Sequence, residues 1–130
     1  MKNNKIPPGF EIKVGIHGVG AFVTKDIKKG SVLFKLQGDI VDTPTRTSVQ
    51  IAKGKHIEDA LAGHINHSCS PNARVYRKTQ SFISLRDIEA GEEITFNYND
   101  NEDDLASSFV CVCCGKEMLG KLHKPEVSKV

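Results

Sequence analysis

The residues best suited to chemistry lie in three short segments. The first is Gly18-Val19-Gly20 before an apolar run, and glycines let a ligand approach the backbone closely. The second, residues 66–72, reads N-H-S-C-S-P-N, and the third, residues 91–98, reads G-E-E-I-T-F-N-Y. Taken singly, they are typical of a turn, a surface loop and a tyrosine with a buried ring and a hydrated hydroxyl. Their function therefore depends on their occurring together.

The sequence around these residues argues against two other kinds of site, a dinucleotide-binding site and a Ser-His-Asp hydrolase site. The Gly18–Gly20 pair lacks the third glycine and the following helix of a dinucleotide-binding fingerprint. His67 has no recognisable partners for a Ser-His-Asp relay, so nucleophilic hydrolysis is not indicated.

The cysteines form a fourth feature. Three of the four crowd together as Cys111, Cys113 and Cys114, and Cys69 lies in the central motif. Because adjacent cysteines are poorly placed for a disulfide framework, the pattern favours reduced thiols or a metal site.

The elements that must position these residues are mostly short strands. Alternating or β-rich runs bounded by turn residues predict strands at 11–14, 21–24, 32–35, 39–41, 73–78, 82–86 and 93–98. Helix is expected only at 57–65 and 103–108, and the patternless residues 44–55 are expected to form a loop. The sequence therefore predicts a mostly β fold made of small sheets.

Length and charge restrict the remaining function classes. The 130 residues predict one domain, and a net charge of +2 is too weak to indicate direct nucleic-acid binding. No apolar run is long enough for a membrane helix, and Pro7-Pro8-Gly9 interrupts any signal peptide. A soluble, intracellular protein with no membrane partner is expected.

Together and in this order, the three segments resemble the SET-domain protein-lysine methyltransferases over about residues 10–122. The resemblance implies a mostly β fold of several small sheets with little helix. A knot-like threading would pack residues 66–72 against 93–98. It divides the chain into an N-terminal extension (1–9), the SET domain (10–108), a post-SET-like cysteine tail (109–122) and a flexible C-terminus (123–130).

The resemblance also implies S-adenosylmethionine as cofactor and a lysine-containing protein, histone or non-histone, as substrate. Tyr98 matches the active-site tyrosine, and Phe96 would line the lysine channel with it. A phenylalanine at that position implies room for a second or third methyl group. The implied cofactor-binding residues are Gly18, Val19, Gly20, Asn66, His67 and Tyr98.

The chain departs from the family at the cysteine tail. The resemblance implies zinc at Cys69, Cys111 and Cys113, but Met118 occupies the position of the next cysteine, and a thioether is a poor zinc ligand. Either Cys114 or His123 completes the site, or the site is vestigial.

Three further alternatives stay open. Only about residues 42–63 are available for the insertion that helps bind substrate, so a homodimer could supply a missing wall. The chain could instead be a catalytically silent SET-like module that binds a protein partner. It could also be a small zinc-binding adaptor.

Overall fold

A computed structural model describes residues 6–15, 18–45, 47–102, 109–110 and 117–118. Twelve strands, one 3₁₀ turn and one short helix make up this part of the chain, and the predicted mostly β fold is confirmed. The strands are β1 (Phe10–Gly15), β2 (Gly18–Val23), β3 (Val32–Lys35), β4 (Asp39–Val41), β5 (Ser48–Ala52), β6 (Lys55–Glu58), β7 (Asn66–His67), β8 (Ala73–Tyr76), β9 (Ser81–Ser84), β10 (Thr95–Phe96), β11 (Phe109–Val110) and β12 (Glu117–Met118).

The strands form five small sheets in place of one large one. Antiparallel hairpins join β1 to β2 and β11 to β12, and the parallel pair is β7 with β10. Two three-stranded antiparallel sheets, in the orders β3-β9-β8 and β4-β6-β5, complete the set. Among the described residues, no helix is long and apolar enough to cross a membrane.

The core is centred on Phe82 of β9, whose side chain is fully buried. Phe34 of β3 stacks on its ring with centroids 5.2 Å apart, and Phe96 of β10 meets it edge-on at 5.1 Å. Aromatic pairs in these two arrangements stabilise a core beyond the area that they bury. The aromatic cluster thus ties the strand before the candidate tyrosine to the middle of the fold.

The expectation of a loop at residues 44–55 is wrong. Residues Ser48–Ala52 form β5, which pairs with β6 and buries Val49, Gln50 and Ile51 in succession. A strand buried on both faces shows no alternation of apolar and polar residues, so the period-2 signal was absent.

The expected helix at 57–65 is also wrong in its first part. Ile57 and Glu58 belong to β6, and only a 3₁₀ turn at Ala62–His64 follows. The Asp59 carboxylate accepts hydrogen bonds from the backbone N–H groups of Leu61 and Ala62, which begins the turn much as an N-cap does. The helix expected at 103–108 lies outside the described residues.

Candidate active site

The parallel pairing of β7 with β10 brings the central motif and the tyrosine segment together. Asn66 lies opposite Thr95 and His67 opposite Phe96, and the Ser68 N–H donates to the Phe96 carbonyl at 3.1 Å. The packing of residues 66–72 against 93–98, implied by the resemblance, is therefore present.

The Asn72 side chain forms a second connection between residues 66–72 and residues 93–98. Its side chain is buried, its Nδ2 donates to the Glu93 carbonyl at 2.8 Å, and its Oδ1 accepts from the Thr95 N–H at 2.9 Å. One asparagine amide thus satisfies a backbone donor and a backbone acceptor that would otherwise be buried without partners. This places Asn72 in a structural role at the centre of the site.

The glycine-containing strand lies beside Asn66. Gly18 has a φ of 88°, in the left-handed region that favours glycine, and an added Cβ there would have no atom of the described residues within 4 Å. Val19 is half exposed, while Gly20 is buried. Asn66 Nδ2 donates to the Val19 carbonyl at 3.0 Å and to Glu93 Oε2 at 2.7 Å. The Val19 carbonyl, the Asn66 amide and the Glu93 carboxylate therefore form a polar cluster beside the exposed Gly18 and Val19, and we call this cluster the recess.

Gly20 itself has no room for a side chain. A Cβ at this position would overlap the Glu93 carboxylate and would lie 3.0 Å from Asn66 Nδ2. Because the obstructing atoms are the ends of flexible side chains, they can move at modest cost.

We expect Gly20→Ala to fold with a loss of only about 1 kcal/mol, typical of mild overpacking. Displacement of Asn66 and Glu93 should nevertheless weaken ligand binding in the recess by roughly tenfold or more, which corresponds to about 1.4 kcal/mol. Urea denaturation and calorimetric titration measure the two effects separately. Unchanged ligand affinity in a folded variant would show that the recess is not the binding site.

Tyr98 begins the only helix among the described elements, α1 (Tyr98–Asn101), and does not end a strand as predicted. The pairing of β10 with β7 ends at Phe96, opposite His67. The Tyr98 N–H donates to His67 Nδ1 at 3.0 Å, and the Tyr98 hydroxyl donates to the Ile65 carbonyl at 2.5 Å. Backbone and side chain of Tyr98 are therefore both held by residues on either side of Asn66.

The environment of Tyr98 keeps its phenol neutral. Burial raises the pKa of Tyr98 well above its ordinary value near 10, and the negative charges of Glu102 and Glu93 raise it further. A phenol in this state can donate or accept hydrogen bonds at neutral pH, but it cannot serve readily as a proton-abstracting phenolate.

Phe96 lies beneath Tyr98 with its ring centroid 4.7 Å away. The Phe96 side chain is almost fully buried and also packs on Phe82. The structure therefore places Phe96 in the core directly behind the tyrosine. Its effect on the number of methyl groups added stays a prediction.

Helix α1 is docked by a buried polar network that the sequence did not reveal. Glu102 Oε2 accepts from the Gln50 N–H at 2.8 Å and from Asn101 Nδ2 at 2.6 Å, and Asn101 Nδ2 also donates to the Gln50 carbonyl at 3.0 Å. Arg77 Nε donates to Asn101 Oδ1 at 3.2 Å. The Asn101 and Glu102 side chains thus bind the edge of β5 through its Gln50 backbone, much as a neighbouring strand would. The position of α1, and therefore of Tyr98, is in this way coupled to the β4-β6-β5 sheet.

The structure describes only part of the predicted zinc site. Cys69 is exposed, and its Sγ lies 3.6 Å from His67 Nε2. Within the described ranges, no group of three or more potential metal ligands occurs. Cys111, Cys113 and Cys114 lie outside those ranges, as does His123, so zinc stays a prediction. Met118, at the position of the missing cysteine, pairs with Phe109 in the β11–β12 hairpin.

The sequence has relatives among curated proteins. Over 130 aligned residues, it is 31% identical to the H3 lysine-36 specific histone-lysine N-methyltransferase of Yarrowia lipolytica, covering 81% of this chain and 17% of the relative. It is 35% identical over 96 residues to the histone-lysine N-methyltransferase mes-4 of Caenorhabditis elegans, covering 58% of this chain and 10% of that protein. The chain thus spans less than a fifth of either relative.

The fold and the sequence pattern agree on the family. The structure resembles a chain in a humanized mutant of the Chaetomium thermophilum Polycomb Repressive Complex 2, with a TM-score of 0.54 and 18% identity, covering 79% of this chain and 17% of that one. Residues 18–99, which include β2, the recess and Tyr98, match the SET domain model. Because this match covers most of the chain, the protein belongs to the SET-domain family.

Proposed function

We propose that this protein transfers a methyl group from S-adenosylmethionine to the side-chain amine of a lysine in a protein. The observation that carries the proposal is the convergence of the Asn66 recess and the Tyr98 hydroxyl through the β7–β10 pairing. The methyltransferase names of the two relatives support the same reaction.

The recess suits the amino-acid end of the cofactor. An ammonium group requires acceptors, which the Val19 carbonyl and the Glu93 carboxylate provide beside the Asn66 amide. At exposed Gly18, no described atom lies within 4 Å of an added Cβ, so a ligand can approach the β2 backbone there. We therefore propose that Gly18, Val19, Gly20, Asn66, His67 and Tyr98 bind the cofactor.

The chemical step needs orientation and an uncharged amine. The cofactor supplies a methyl group on a sulfonium, which is already activated. Lysine has a pKa near 10.4, and an apolar channel lowers it by disfavouring the charged form. Tyr98, held by Ile65 and His67, would orient the reacting groups, and such orientation can supply several kcal/mol. Because its pKa is raised, we assign Tyr98 a positioning role and not that of the base.

Incubation with S-adenosylmethionine and separate pools of histone and ribosomal proteins tests this proposal. We expect mass spectrometry to find methylated lysines that require both the cofactor and the intact protein, and to count the methyl groups on each. Histones are the first substrate to test because the two relatives carry histone-lysine names. Modification of residues other than lysine would contradict the assigned reaction.

A further inference from the structure

Glu93 was not among the residues that the motifs marked for binding, yet its carboxylate accepts a hydrogen bond from Asn66 and lies against Gly20. The backbone on either side of it pairs with β2: the Ile94 N–H donates to the Ala21 carbonyl at 2.8 Å, and Glu93 forms an antiparallel bridge with Phe22. In such a pair, the residue two positions before the bridge partner lies on the same face. The Glu93 side chain is therefore directed against Gly20.

The Glu93 carboxylate also sets the orientation of the Asn66 amide. Asn66 Nδ2 carries two N–H donors, and its two acceptors are the Val19 carbonyl and Glu93 Oε2. Rotating the amide by half a turn would place its oxygen against both acceptors, which is unfavourable. The amide oxygen of Asn66 is consequently held on the side away from Glu93.

We propose that Glu93 is a recognition residue for the ammonium group of the cofactor's amino-acid end. A carboxylate accepts about four hydrogen bonds, so it can hold the Asn66 amide and an ammonium at once. Hydrogen bonds between charged groups are roughly twice as strong as those between neutral ones. Glu93 thus supplies a negative charge that attracts the ammonium group, while the Asn66 oxygen and the Val19 carbonyl are hydrogen-bond acceptors that orient it. This inference rests on the proposed function.

The charge of Glu93 can be removed with little change of shape. Glu93→Gln keeps an oxygen that can accept from Asn66 Nδ2. Three ligands then separate the possible roles: S-adenosylmethionine has the ammonium and a sulfonium, S-adenosylhomocysteine has only the ammonium, and 5′-methylthioadenosine has neither. We expect the variant to bind the first two roughly tenfold more weakly, a difference of about 1.4 kcal/mol, and the third unchanged.

Glu92→Gln is the matched control. It removes the same charge from the adjacent residue, whose carboxylate accepts from the Glu89 N–H at 2.6 Å and pairs with Arg86. We expect this control to retain the affinities of the unmodified protein for all three ligands.

Three outcomes for Glu93→Gln would overturn the inference. Unchanged affinity for every ligand would leave Glu93 with a structural role only. Equal weakening of all three ligands would indicate a general disturbance of the recess. Weakening of S-adenosylmethionine alone would assign the carboxylate to the sulfonium. If the unmodified protein binds none of the ligands, the proposed function itself fails together with this inference.

Discussion

Replacing Tyr98 with phenylalanine should lower turnover by about 10²–10³-fold, the loss typical of removing one preorganised polar group. S-adenosylmethionine binding should remain measurable, because the recess around Asn66 does not depend on the phenol oxygen. Tyr76→Phe is the control, since Tyr76 is the only other tyrosine and lies exposed on β8. Single-turnover methylation and calorimetric titration give the two quantities. Turnover of Tyr98→Phe equal to that of the control would remove Tyr98 from the mechanism.

The pH dependence distinguishes positioning from base catalysis. Because the pKa of Tyr98 is raised, the phenol stays protonated throughout the neutral range and loses its proton only in strong alkali. Between pH 7 and 9, the rate should therefore rise with pH as the lysine amine, with a free pKa near 10.4, loses its proton. The residual activity of Tyr98→Phe should rise in the same way. A pH dependence that disappears in this variant would identify Tyr98 as the base.

Asn72→Ala should be among the most destabilising substitutions in the site. It would leave the Thr95 N–H and the Glu93 carbonyl without their partner, and each buried unpaired group costs roughly 1–3 kcal/mol. We expect the free energy of unfolding, measured by urea denaturation, to fall by about 2–4 kcal/mol.

Thr95→Val provides the comparison for Asn72. It removes only the long contact of 3.4 Å between the Asn72 N–H and Thr95 Oγ1 and keeps the side-chain shape. Because this contact is long and only the Asn72 N–H loses a partner, its cost should be about 1 kcal/mol, the lower end of the range for one buried unpaired group. Equal losses of unfolding free energy in Asn72→Ala and Thr95→Val would contradict the inference that the Asn72 side chain holds residues 66–72 against residues 93–98.

The sequence predicted the strands that have local signals. Strands β3 and β4 have the predicted bounds, and β8 and β9 form the hairpin expected around residues 79–81. The turn of this hairpin includes Gln80 with a φ of 53°. The local sequence was enough to predict these strands. The turn residues and the alternating or β-branched runs that specify them lie within a few positions of each other.

Elements that depend on distant partners were predicted poorly. Strand β5 is specified by burial and by two side chains 51 and 52 residues further along: Asn101 and Glu102 bind both backbone groups of Gln50. Tyr98 was predicted to end a strand and instead begins a helix, because the extent of β10 depends on its pairing with the distant β7; its role in the site stays a proposal. No local sequence pattern marked Glu93 as a binding residue. Its proposed role depends on the bridge to Phe22, a residue far away in the sequence, which directs its side chain against Gly20.

Calorimetric titration with S-adenosylmethionine, comparing the unmodified protein with Asn66→Ala, tests the central claim most directly. The Asn66 side chain, on β7, donates hydrogen bonds to the β2 backbone and to the Glu93 carboxylate. We predict micromolar binding to the unmodified protein and at least roughly tenfold weaker binding to the variant, a loss of about 1.4 kcal/mol. Absence of binding to the folded, unmodified protein with zinc supplied would contradict the account and favour a silent SET-like module that binds a protein partner.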